Sequence, residues 1–161
     1  MAKYYIGTSG WAYKEWGKDF FPDDLPQRRQ LEYLSSTFNT VEINATFYRN
    51  QTASSFKKWV GETPDDFVLA VKVSRYITHI KRLKAVRGNW QRFLRGPKAA
   101  GKNLGPFLLQ FPSTFPATDE TAKRLDEFLA KAKGDLRGIR FAVEFRNDSW
   151  FTDDRLKILK K

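Results

Sequence analysis

The feature that most constrains this chain is a pattern repeated along its strand-like runs. Five short apolar runs, Lys3–Thr8, Thr40–Asn44, Phe67–Ser74, Pro106–Phe111 and Ile139–Phe145, are each followed by a loop and a helix-like stretch. The helix candidates are Pro26–Phe38, Ala53–Glu62, Ala85–Ala100, Asp119–Ala132 and Asp153–Lys160. Strand–helix alternation argues for a parallel sheet covered by helices. Within the runs, Val41 and Ile43 alternate with Glu42 and Asn44; Leu69, Val71 and Val73 with Ala70, Lys72 and Ser74; Phe107, Leu109 and Phe111 with Leu108 and Gln110; Phe141, Val143 and Phe145 with Ala142, Glu144 and Arg146. Side chains alternate faces along a strand. One face is therefore bulky and apolar, and the other is small near the strand start and polar near its end.

A doubly wound sheet would be apolar on both faces. A single helix-covered face, with the polar face turned toward an axis, predicts an α/β chain of the (β/α)8 TIM type, with functional groups at the C-terminal strand ends. A full barrel of that type takes ~250 residues. The expectation is one domain over residues 1–161 carrying five strand–helix units of an open, incomplete barrel, the N-terminal five-eighths of the fold. The last three units would lie outside this chain, or a second chain would cover edges that are costly to leave bare.

The formal net charge of +11 is unevenly spread. No Asp or Glu occurs between Phe67 and Thr118, while Lys72, Arg75, Lys81, Arg82, Lys84, Arg87, Arg92, Arg95, Lys98 and Lys102 do. A block of one sign attracts polyanions, so a nucleic acid or a phosphate-bearing small molecule is the expected partner; the plainer alternative is a solvated helix face. With no cysteine there is neither disulfide nor thiolate ligand, and a lone histidine, His79, excludes a multi-histidine zinc site within the chain. The start of the chain lacks a signal-peptide pattern, and no run of 18 apolar residues occurs; the expectation is a cytoplasmic protein with no membrane span.

The candidate site follows the strand ends. Thr8 and Ser9, between Gly7 and Gly10, could cradle an anion or simply close a tight turn plugged by Trp11, Tyr13 and Trp16. Glu42 and Lys72 stand on adjacent strands and should pair, either as functional groups or as an ion pair that fixes the interior. Glu144 is a second carboxylate. Two inner carboxylates suggest acid–base work or a hard divalent metal such as magnesium. Pairing makes Glu42 the anionic member and Glu144 the better proton donor, unless Arg146 holds Glu144 charged. His79 could serve as general acid or phosphate donor. The catalytic candidates are thus Glu42, Lys72, His79 and Glu144. Thr8, Ser9, Trp11, Asn44, Tyr48, Gln110, Arg146 and Trp150 are the ligand-binding candidates; the loop aromatics can stack a base or a sugar, although packing beneath long loops is the commoner outcome for such rings.

The strings GTSGWAYKEW with FFP, VEINATFYR, FVLAVKVSRYITHIKRL, LGPFLLQFPSTF and FAVEFRNDSW, in this order, resemble the YecE-like family, domain of unknown function 72. The resemblance implies a TIM-type barrel longer than this chain, with a later strand ending in an Arg–His pair. It also implies a polar site that falls here on Thr8, Ser9, Trp11, Glu42, Asn44, Lys72, His79, Gln110, Glu144, Arg146 and Trp150. Three functions stay open: a binding or processing site for a phosphate-bearing or nucleic-acid ligand, an enzyme using Glu42, Lys72 and Glu144 on a small polar or sugar-like substrate, and a non-catalytic interaction protein.

Overall fold

The computed structural model describes residues 2–160. Five strands form one parallel sheet in sequential order: β1 (Gly7–Ser9), β2 (Thr40–Ile43), β3 (Val68–Lys72), β4 (Leu104–Phe111) and β5 (Phe141–Phe145). The α-helices are α1 (Trp16–Asp19), α2 (Gln30–Thr37), α3 (Ala45–Tyr48), α4 (Ala53–Gly61), α5 (Arg87–Leu94), α6 (Asp119–Asp135) and α7 (Asp153–Leu156). Sequential parallel order is the arrangement of a TIM-type barrel wall, here five units long and open.

The alternation decides the faces. Val41, Ile43, Leu69, Val71, Phe107, Leu109 and Phe111 are fully buried on the helix-covered side. On the other side Glu42, Ala70, Lys72, Leu108 and Glu144 are only half-buried. Aromatic rings fill two parts of the core. Trp90 packs among Phe93, Phe107 and Phe128 beneath α5 and α6. Phe111, Phe115, Trp150 and Phe145 form a stack with centroid spacings of 4.5, 5.6 and 4.3 Å. Because Phe111 and Phe145 face that stack, their neighbours Gln110 and Glu144 must face the opposite way, toward the polar side.

Several elements differ from their expected limits. β1 is only Gly7–Ser9. Ahead of it the chain is held by Asn39: its Oδ1 accepts from the Ile6 N–H at 2.8 Å, its Nδ2 donates to the Tyr4 carbonyl at 2.9 Å, and its backbone N–H donates to the Ile6 carbonyl at 3.3 Å. The helix expected over Ala85–Ala100 is α5 followed by a 3₁₀ segment, Pro97–Asn103. Proline opens the new segment because it cannot donate within a continuing helix. Arg82, Leu83 and Ala85 adopt left-handed φ values of 47°, 63° and 51°, which delays the start of α5. α6 runs to Asp135, past the expected Ala132, and begins with a capping box between Thr118 and Thr121. Among the described residues no helix is long and apolar enough to cross a membrane.

Candidate functional site at the strand ends

At the end of β1 the hydroxyls are spent on local structure. Thr8 Oγ1 donates to the Gly10 carbonyl at 2.7 Å, and Ser9 Oγ donates to Glu42 Oε1 at 2.8 Å. Gly10 takes a left-handed φ of 86°, and its N–H donates to the Glu42 carbonyl at 2.9 Å. The first loop therefore supports Glu42 and is not an open cradle for an anion.

Glu42 and Lys72 meet as expected. Lys72 Nζ lies 3.8 Å from Glu42 Oε1, with the side chains 13% and 22% exposed. The register puts Glu42 beside Ala70, so Lys72 reaches it from two residues higher on β3, where a lysine stem has the length to fold back. Buried Thr46 ties the two strand ends, its Oγ1 standing 2.6 Å from the Ile43 carbonyl and 2.7 Å from that of Lys72. Lys72 Nζ also sits 5.2 Å from the Phe47 ring centroid, and Phe47 packs edge-on against His79 at 5.1 Å.

His79 is carried by a single π-helical turn, Tyr76–Ile80, that follows β3. Such turns cluster at functional sites. Its Nδ1 is 2.9 Å from Thr78 Oγ1. Its pKa is pushed below the ordinary 6.5 by burial and then by the charges of Arg75, Arg146, Lys72 and Arg82. Burial and four cations from three segments thus all disfavour the charged form of this one imidazole. In the sequence Arg75 and Arg82 stand out only as members of the basic block. Their one signal is position, Arg75 just after the third strand and Arg82 just after the turn that follows it.

Glu144 accepts from Gln110 Nε2 at 2.7 Å and from Arg146 Nε at 2.8 Å. Burial raises its pKa, but the hydrogen bonds from Arg146 and Gln110 and the charges of Arg146 and Lys72 outweigh burial and leave the pKa below the usual carboxylate value. Of the two alternatives open for Glu144, the one in which Arg146 holds it charged is therefore realised. It is an anion that positions Arg146, not a ready proton donor. The site as a whole holds Lys72, Arg75, Arg82 and Arg146 against Glu42 and Glu144.

The remaining candidates are scattered. Trp150 is fully buried in the aromatic stack, and its Nε1 donates to the Phe115 carbonyl at 2.7 Å, so it supports the site from beneath and cannot touch a ligand. Trp11 packs edge-on against Trp59 at 5.6 Å. Asn44 is half-buried at the end of β2, and Tyr48 projects outward, 74% exposed. Among the described residues no group of three or more His, Asp or Glu side chains could hold a metal ion. Within the basic block, Lys102 pairs with Asp65 at 3.3 Å and Arg82 donates to Thr114 Oγ1 at 3.1 Å. Arg75, Lys81, Lys84, Arg87, Arg92, Arg95 and Lys98 are exposed and have no carboxylate partner among the described residues. A concavity of about 480 Å³ lies elsewhere, on the outer surface between α5 and α6 over Trp90 and Phe128.

The model of the family described as "Protein of unknown function DUF72" matches residues 5–161. The chain belongs to that family. It is 30% identical over 154 residues to UPF0759 protein YunF of Bacillus subtilis (strain 168), covering 92% of this chain and 52% of that protein. It is 27% identical over 147 residues to UPF0759 protein YecE of Escherichia coli (strain K12), covering 91% and 50%. The chain thus spans about half the length of the curated relatives it matches. Among solved structures, the DUF72 protein TM1631 of Thermotoga maritima MSB8 superposes with a TM-score of 0.79 at 29% identity, over 97% of this chain and 60% of that one. A DUF72 protein of Enterococcus faecalis V583 gives 0.64 at 26%, over 79% and 47%.

Proposed function

We propose that the strand-end cluster binds a phosphate-bearing ligand, and that the ligand is a single-stranded nucleic acid. The observation that carries this reading is a cluster of four cations acting on His79, of which Lys72 and Arg146 have carboxylate partners while Arg75 and Arg82 have none among the described residues. Glu42 and Glu144 balance Lys72 and Arg146, so the surplus charge is that of Arg75 and Arg82, and an anion placed beside them offsets it. The choice of nucleic acid over a small phosphate ester rests on the unpaired cations that continue outward along the acid-free segment. Exposed Tyr76 and Tyr48 at the mouth add ring faces for bases. Acid–base catalysis on a small polar substrate is the second reading, favoured by the Glu42–Lys72 pair. It is weakened by the two donors that keep Glu144 ionised.

Fluorescence anisotropy with a labelled single-stranded oligonucleotide tests the proposal. Binding should be measurable at ~50 mM salt and fall steeply toward ~200 mM, each phosphate contact contributing about 0.7 to the slope of log K against log salt. Changing both Arg75→Gln and Arg82→Gln should lower that slope by about 1.4. Absence of binding at ~50 mM salt, where such contacts are strong, would remove the proposal.

A further inference from the structure

The π-helical turn that carries His79 has a second side. Its first residues, Tyr76 and Ile77, together with Asn50, Ser74, Asn89 and Arg92, line a recess of about 310 Å³ between the β3 end and α5. Every polar group there can donate a hydrogen bond. Arg92 brings a guanidinium with no carboxylate partner, and the Asn50 and Asn89 amides make no side-chain hydrogen bonds to described residues. Ser74 is 8% exposed, and its Oγ accepts from the Tyr76 N–H at 3.3 Å, which leaves its own hydrogen available to a ligand. No Asp or Glu lines the recess. An unpaired cation, two amides and a buried hydroxyl, with no carboxylate among the described lining residues, suit a tetrahedral oxyanion, which accepts several hydrogen bonds at once.

We propose that this recess is a second phosphate subsite, taking a further phosphate of the ligand whose first phosphate lies at the strand-end cluster. The inference rests on the phosphate reading of that cluster for its ligand, and on the recess alone for its location. The π-helical turn then lies between two anions, with His79 toward one and Tyr76 toward the other. Arg92 is the residue on which the subsite turns, because it supplies the only full charge.

The test is a titration of the isotope-labelled chain with inorganic phosphate, chloride being exchanged for phosphate at constant ionic strength, followed by NMR. The side-chain amide signals of Asn50 and Asn89 report the recess, and the ring of His79 reports the strand-end cluster. Both amides should shift saturably. Arg92→Gln, an exposed position that leaves the fold intact, should weaken that response roughly tenfold, as expected for loss of a charge-assisted hydrogen bond. Lys57→Gln, a change at an exposed cation on α4 outside both the recess and the acid-free segment, should leave it unchanged. A single-stranded oligonucleotide should move the same amides, which separates a chain phosphate from free phosphate alone. If His79 responds and the amides do not, the subsite is wrong while the strand-end reading stands. If the amides respond and His79 does not, the recess is a phosphate site and the strand-end reading fails. Equal effects of Arg92→Gln and Lys57→Gln would reduce the recess to diffuse surface charge and overturn the subsite.

Discussion

Lys72→Met separates a functional ion pair from a structural one. The charges are 3.8 Å apart, which gives a gross attraction of about 4 kcal/mol at an effective dielectric of 20. Much of that is offset by desolvation, since both side chains are mostly buried. Breaking a fully buried pair costs about 3–5 kcal/mol. Here the penalty should be smaller, because Glu42 keeps its hydrogen bond from Ser9 and some contact with water. Methionine also preserves packing on Phe47, where the lysine now lies over the ring. The net expectation is about 1–2 kcal/mol of lost stability, or roughly 3–6 °C in Tm for a chain of this size. Urea unfolding and thermal melts measure it. Anisotropy on the same variant should show oligonucleotide binding weakened at least about tenfold, the cost of one charge-assisted contact. A loss above about 3 kcal/mol with unchanged binding would mean that the pair only fixes the interior, and would refute its assignment to the site.

Two further changes probe the frame. Trp150→Ala removes the fully buried ring between Phe145 and Phe115 and should cost about 3–5 kcal/mol by chemical denaturation; a cost under about 1 kcal/mol would contradict its place in the stack. Gly7→Ala would drive a methyl group into the Thr40 carbonyl oxygen across the β1–β2 pairing, so about 1–3 kcal/mol should be lost; an unchanged melting curve would mean that β1 does not approach β2 this closely.

The sheet was legible because alternation leaves little freedom. Once Leu69, Val71 and Val73 need a helix-covered face, Lys72 has only the other, and the same argument places Gln110 and Glu144. What escaped the pattern depends on single residues acting across the chain or on backbone conformations without a residue signature. The Asn39 side chain adds two hydrogen bonds to the single backbone one ahead of β1, a role that nothing around Asn39 in the sequence indicates. The left-handed turn through Arg82, Leu83 and Ala85 uses no glycine. For Trp150 the sequence leaves open stacking on a ligand or packing beneath its loop, and the structure takes the second. Its loop is folded inward by an Asn147 turn, in which Oδ1 accepts from the Ser149 N–H at 3.1 Å, and the ring is thereby carried into the core. In the site, the Glu42–Lys72 pair was legible from adjacency. The approach of Arg75, Arg82 and Arg146 to His79 was not, because it requires the π-helical turn.

The central claim is that these cations form an anion site around His79, and its titration tests this most directly. It is the only histidine, so one ring resonance reports it. In the free protein its midpoint should fall below 6.5, lowered by burial and by the surrounding Arg75, Arg146, Lys72 and Arg82. Because the folded value lies below the unfolded one, this group leaves stability unchanged above the unfolded pKa and lowers it as pH falls from there through the folded pKa. A bound phosphate group offsets the positive charges and favours the imidazolium, so the midpoint should rise when a single-stranded oligonucleotide is added, and affinity should increase as the pH is lowered through the same range. A free midpoint at or above 6.5, or one that the oligonucleotide leaves unmoved, would contradict the account.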